Sequence, residues 1–157
     1  MKLSSREDLE APIDFVYRSF ADTENWERAA MRRGADVLRT DRLTSFGPGM
    51  GWTVGFVWRG KPRKVAIALK RVDPQHVLAF AASGSSFDAE IDVEFVELSA
   101  RRTRVTVRSE IKARSLAARV FLQSMKLARG KIERKYEARV GQLCNEVEER
   151  YRTTARR

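Results

Sequence analysis

Between about Ser115 and Arg150, apolar residues recur at steps of three and four: Phe121, Met125, Ala128, Ile132, Tyr136, Val140, Leu143 and Val147. That spacing keeps them on one face of a 3.6-residue helix. A helix of this length extends roughly 54 Å at about 1.5 Å per residue. No Pro interrupts it, and Gly130 and Gly141 mark the places for mild bends, each weakening the helix by about 1 kcal/mol relative to Ala. A stripe this long must be buried, and everything before it reads as the sheet that buries it.

The preceding chain alternates at strand period. Lys2 to Leu9 is a first strand, and if Leu3 and Leu9 face inward, Ser5 and Glu7 do too. Two short helices follow. One opens at Pro12 and carries Phe15, Val16, Ser19 and Phe20; the other is capped by Asp22 or Thr23 and stops at Gly34. A strand over Val37 to Thr44 leads to a punctuated loop, Gly47 to Gly51. The loop lacks the Lys-Ser/Thr ending of a phosphate loop and enters a strand, which excludes that reading. Trp52, Val54, Phe56 and Trp58 then share one face of a strand. A turn at Arg59 to Pro62 joins it to a strand in which Val65, Ile67 and Leu69 alternate with polar and small residues. Val77 to Ala82 is the next strand. Phe87, Ala89, Ile91, Val93 and Phe95 alternate with Asp88, Glu90, Asp92 and Glu94, and the strand after it alternates apolar residues with Arg102, Arg104, Arg108 and Lys112. Acidic and basic outer faces predict an antiparallel pair with opposite charges across the ladder. The reading is one domain over 1–157: α+β, a curved antiparallel sheet of six or seven strands around a C-terminal helix at 113–152, with a frayed basic tail at 153–157.

Composition excludes several functions. One His and one Cys leave no zinc-spaced cluster, so no metal and no cofactor is expected. They also limit nucleophilic catalysis to His76 as base, and His76 sits in the turn Asp73-Pro74-Gln75-His76. No apolar run nears the roughly 20 residues of a membrane span, and the first residues lack a signal-peptide core; a cytoplasmic protein is the simplest reading. The net charge of +10 is concentrated in the C-terminal stretch, where residues 115–157 hold 11 basic and 5 acidic side chains. It reads either as a solubilising surface or as a face for an anionic partner. Basic and aromatic residues are not interleaved, so no specific nucleic-acid binding is expected.

Order and residues together resemble the START/Bet v 1-like superfamily, also called SRPBCC, and within it the polyketide cyclase/dehydrase and lipid-transport-like subgroup. The residues that carry the resemblance are Ala11-Pro12, Val16-Tyr17, Phe20, Asp22 and Trp26, with Gly49 to Trp52, Asp73-Pro74 and Thr103-Arg104-Val105. The resemblance implies a helix-grip fold: a curved sheet holding a long C-terminal helix, with a cavity between them. It implies ligands such as lipids, quinones or polyketides, and in some members cyclase activity.

Three readings follow. The first is a non-enzymatic protein that binds or transports a hydrophobic small molecule. Its cavity would be walled by Trp52, Phe56, Trp58, Phe80, Phe121 and Met125, with Gly47 to Gly51 as a mobile rim. Ala79, Ala81, Ala82, Ala89 and Ala128 opposite those rings are too small to fill the space. The second is a polyketide cyclase or aromatase-like enzyme using Glu7, Tyr136 or Arg139, all read as inward-facing, with Glu7 and Arg139 as a buried pair. The third is a module whose basic helix meets a protein partner or an anionic membrane surface. A second apolar line, Leu116, Val120 and Leu127, lies on another face of that helix, placed to meet either loops at the cavity mouth or another subunit. The expected assembly is a monomer or weak homodimer.

Overall fold

A computed structural model describes residues 1–156. Burial alternates along β1 (Lys2–Leu9), with Leu3, Ser5 and Leu9 buried and Glu7 half-buried on the same face. Pro12 caps α1 (Ile13–Ala21), where its missing N–H has no cost. Asp22 separates α1 from α2 (Thr23–Arg32): its carboxylate accepts from the Asn25 N–H at 3.2 Å. Gly34, at φ +92°, lets the chain turn away from α2. The sheet continues with β2 (Asp36–Arg39), β3 (Gly51–Trp58), β4 (Lys61–Asp73), β5 (Val77–Ser83), β6 (Phe87–Ser99) and β7 (Arg102–Ala113). All neighbours are antiparallel, in the order β1-β7-β6-β5-β4-β3-β2. The first two strands therefore form opposite edges, and α1 and α2 carry the chain from one edge to the other.

Several of the signature residues are joined to one another. Thr103 is fully buried and its hydroxyl donates to the carbonyl of Ala11 at 2.8 Å, tying β7 to the start of α1. Trp26 Nε1 donates to the carbonyl of Phe20 at 3.0 Å and locks α2 against α1. Tyr17 and Phe20 each meet Phe95 edge-on with centroids 5.6 Å apart.

The C-terminal helical stretch begins at Ser115, whose hydroxyl accepts from the Ala118 N–H at 3.1 Å. It runs as α3 (Leu116–Met125), a 3-10 turn (Lys126–Ala128) and α4 (Arg129–Ala155). The irregularity falls just before Gly130, where the hydrogen bonding tightens for three residues. At Gly141 the helix is continuous. There the glycine makes room for a neighbour: a Cβ would lie 3.3 Å from Glu7 Oε1. The helix passes the point expected to fray, with the Thr153 and Thr154 hydroxyls donating to Glu149 and Arg150 carbonyls. Arg157 of the expected tail lies outside the described residues.

Val140, Cys144 and Val147 of α4 bury against Leu9, Leu78, Val93, Phe95 and Val105 of the sheet and Val16 and Phe20 of α1. The line through Leu116, Val120 and Leu127 faces outward, 74%, 58% and 95% exposed. Ala128, read as part of the buried stripe, is exposed because the 3-10 turn rotates it away.

The charge match between β6 and β7 is partial. Asp88 faces Lys112 and Asp92 faces Arg108, but Glu90 faces Glu110. The close ion pairs run diagonally, from Arg108 to Glu94, or to β1, where Arg104 meets Asp8 at 2.8 Å. Arg104 holds the Asp8 carboxyl below its usual range. These exposed pairs add little each; register is set mainly by the buried face.

Strand β2 is half the expected length. Asp41 ends it: its carboxylate takes two bonds from Arg39, at 2.6 and 2.8 Å, and accepts from the N–H groups of Leu43 and Gly51 at 2.9 Å. These donors hold its pKa far below the usual carboxylate range, the Arg39 bond contributing most. The 47–51 loop is likewise fixed, with Gly49 N–H bonded to Leu69 O at 3.0 Å and Leu69 N–H to Met50 O at 2.9 Å.

A charge at the centre of the grip should break it. Val147→Asp is expected to destabilise the fold by at least about 3 kcal/mol, because the carboxylate would be buried unpaired. Leu127→Asp, on the exposed line, should change stability by less than about 0.5 kcal/mol. Urea unfolding of the two variants measures the difference.

Candidate functional site

Strand β3 sends Phe56 and Trp58 to the helix side of the sheet and ends in a two-residue turn. Arg59 and Gly60 have φ of +52° and +72°, as a type I′ hairpin requires. Arg59 is an unusual occupant of that position. Its guanidinium lies 4.5 Å from the centroid of Trp58 and 5.4 Å from that of Phe121, so the turn is fastened across β3 to α3 by cation–π contact. Trp58 and Phe121 meet edge-on at 6.4 Å, and Phe121 meets Phe87 at 6.0 Å.

Beneath these rings is a cavity of about 990 Å³, bounded by the β3–β4 hairpin, the facing parts of β5 to β7, and α3 with the start of α4. Phe56, Trp58, Phe121, Leu122, Met125 and Ile132 are its large walls. Ala82 and Ala89, paired across β5 and β6, form a low floor. Trp58 remains 44% exposed and Phe56 38%, so the cavity is open to solvent on the hairpin side.

The residues expected in the wall divide into two groups. Phe56, Trp58, Phe121 and Met125 surround the cavity; Trp52 and Phe80 do not. Trp52 is 7% exposed and packs with Met50 and Leu69, and its Nε1 donates to Glu27 Oε1 at 2.7 Å. Phe80 packs between this small core and the main one. The reason is distance along the strand. Gly51 and Trp58 are about 23 Å apart at about 3.3 Å per residue, and the 41–51 loop fills the Trp52 end. That loop is consequently no rim of the cavity.

The polar residues also separate. Glu7 lies against Gly141 of α4. Tyr136 OH is 2.8 Å from Ser109 Oγ and donates to the carbonyl of Val107 at 3.3 Å. Burial raises the phenol pKa, and the Ser109 bond offsets part of that rise. Arg139 is exposed: it is one residue, about 100°, round the helix from buried Val140. Among the described residues no ion pair joins Glu7 to Arg139, and none of these three side chains lines the cavity. Cys144 is buried in the core, and desolvation first, then the charges of Glu7 and Glu148, push its thiol up to about 12. His76 is in an exposed turn with Nδ1 3.1 Å from the Pro74 carbonyl. Among the described residues no three His, Cys, Asp or Glu side chains are grouped to hold a metal ion, and no helix is long and apolar enough to cross a membrane.

The expected wall lacked Leu122, Ile132 and, most consequentially, Arg63. Arg63 stands across the ladder from Phe56 and lines the cavity, with its Cζ 5.5 Å from the Trp58 centroid. Parity contained the signal: if Val65, Ile67 and Leu69 face inward, so does Arg63. Treating 59–62 as the turn hid it, since β4 already begins at Lys61.

No protein-family model matches the chain, and no curated protein matches it. Solved structures do. An aromatase/cyclase, Zhui from Streptomyces sp. R1128, aligns at TM-score 0.70 with 16% identity, over 96% of this chain and 94% of its own. A norcoclaurine synthase point mutant from Thalictrum flavum, in complex with a transition-state analogue, aligns at TM-score 0.67 with 13% identity, over 96% and 95%. A START superfamily protein from Mycobacterium smegmatis aligns at 0.58 with 14% identity, over 90% and 98%. With its antiparallel sheet of seven strands wrapped on a long C-terminal helical stretch and two short helices after β1, the chain has the helix-grip fold of the START/Bet v 1-like (SRPBCC) superfamily.

Proposed function

We propose that this protein binds a hydrophobic small molecule between the β3–β4 hairpin and α3, as a binding or transfer protein. The observation that carries this reading is the cavity of about 990 Å³ walled by Phe56, Trp58, Phe121 and Met125. Its size and apolar walls suit a ligand held mainly by burial, worth about 25 cal/mol per Å² of apolar area. Met125 adapts to varied shapes, so selectivity for the apolar body is loose. The reading favours binding over cyclase chemistry because Glu7, Tyr136 and Arg139 lie outside the lining. The aromatase/cyclase and the norcoclaurine synthase share the fold, and that likeness does not extend to a reaction here.

The test uses an uncharged apolar fluorophore, N-phenyl-1-naphthylamine. Trp58 is the tryptophan in the wall, whereas Trp26 and Trp52 are hydrogen-bonded in packed regions. Titration should quench Trp fluorescence saturably, and Trp58→Phe should remove most of that signal while leaving probe emission intact. A titration that changes neither fluorescence nor melting temperature would refute the reading.

A second reading, compatible with the first, has its own observation. The exposed line Leu116, Val120 and Leu127 sits beside Arg119 and Lys126, on the helix whose other face lines the cavity. Apolar side chains flanked by cations suit an anionic membrane surface, and such docking would bring the cavity mouth to the lipid. Co-sedimentation with phosphatidylserine-containing vesicles should exceed that with pure phosphatidylcholine, and Leu127→Ser should reduce it. Equal binding to both vesicles, or none, would contradict this reading.

A further inference from the structure

Among the described residues, the cavity wall holds a buried polar group without a partner. Arg63 Nε is enclosed and has no hydrogen-bond acceptor among them. Among the described residues no carboxylate forms an ion pair with this guanidinium. The two acidic residues of the lining are engaged or turned elsewhere. Asp88 accepts from Ser83 Oγ at 2.8 Å and lies 3.8 Å from Arg114. Asp36 stands opposite Gly55, one residue out of phase with Phe56, which puts it on the other face of the sheet from Arg63.

A buried N–H without an acceptor is costly, and native proteins rarely leave one. The Trp58 ring near Arg63 offsets part of the charge but offers no lone pair to the N–H. The adjacent charges have the same sign: Arg59, Lys61 and Lys64 lie within the same hairpin, and none of them has a carboxylate partner among the described residues. An unneutralised guanidinium beside an apolar cavity is a site for an anion. A planar fork of N–H groups suits a carboxylate best.

Resting on the cavity reading above, we propose that Arg63 is the head-group site of this cavity and that the ligand class is an amphiphilic monocarboxylic acid. The carboxylate accepts from the Arg63 guanidinium, which lines the cavity. The apolar body runs inward along Phe56, Phe121 and Met125. The bare apolar cavity accounts for loose binding of hydrophobic molecules; Arg63 adds a preference for those ending in an acid.

The test compares decanoic acid with methyl decanoate by calorimetry on the full chain at neutral pH. The two share an apolar chain and differ in charge. The acid should bind about ten- to a hundredfold more tightly, the range given by a hydrogen bond to a charged group. Arg63→Gln should abolish that preference, bringing the acid's affinity within twofold of the ester's. Arg63→Lys, which keeps the charge and loses the fork, should retain part of it. If a variant fails to fold, the wild-type comparison still decides. Acid and ester binding within twofold of each other would overturn the head-group assignment while leaving the cavity reading intact. So would an Arg63→Gln variant that weakens both ligands equally, which marks a structural role. If neither ligand binds, the cavity reading falls together with the assignment.

Discussion

The burial of one face of α4 in the sheet is the contact on which the rest depends. Val140, Cys144 and Val147 meet Leu9, Leu78, Val93, Phe95 and Val105, and α1 closes the same core through Val16 and Phe20. Around this centre the packing is dense. The N-terminal end of the helical stretch behaves differently. Phe121 and Met125 are half-buried, and they look across Ala82 and Ala89 toward Phe56 and Trp58. Large rings stand at the walls, with nothing large between them. One helical stretch therefore completes a core at its far end and leaves a cavity at its near end. The 3-10 turn at Lys126–Ala128 sits between the two regimes.

At the cavity's mouth four cations have no carboxylate partner among the described residues. Arg59, Lys61, Arg63 and Lys64 crowd one hairpin, and Arg59 is held in a left-handed conformation to reach the faces of Trp58 and Phe121. The carboxylates in the close ion pairs of the sheet lie elsewhere: Asp8 on β1, Glu94 on β6 and Asp41 in the turn after β2. Opposite charges pair on the solvent face of the sheet, where each pair adds little. The cations are left alone where an apolar molecule would enter.

Much of the fold was legible in the sequence because it rests on periodicity and punctuation. Period-2 alternation from Phe87 to Ile111, Pro12 and Asp22 at helix starts, and the stripe ending at Val147 each have a local physical signature. The candidate site was legible only in part. Phe56, Trp58, Phe121 and Met125 were named from their faces. Trp52 shares the face of Phe56, yet four residues of strand separate a filled end from an empty one, and face alone says nothing of position along the strand. Arg139 was assigned inward from its place between Tyr136 and Leu143; a rotation of about 100° from Val140 put it in solvent. Arg63 was overlooked because the turn was read through residue 62, and a charge at an inward position conflicts with simple patterning. Such conflicts are where functional groups tend to lie.

The central claim is that the apolar space beside α3 is a ligand site while the space under Trp52 is solid. Methionine methyl NMR separates them directly, since Met125 lines the cavity and Met50 is 4% exposed in the core beneath Trp52. Titrating an uncharged apolar ligand should move the Met125 methyl resonance saturably and leave Met50 in place. An unmoved Met125, or equal shifts at both methyls, would contradict the account.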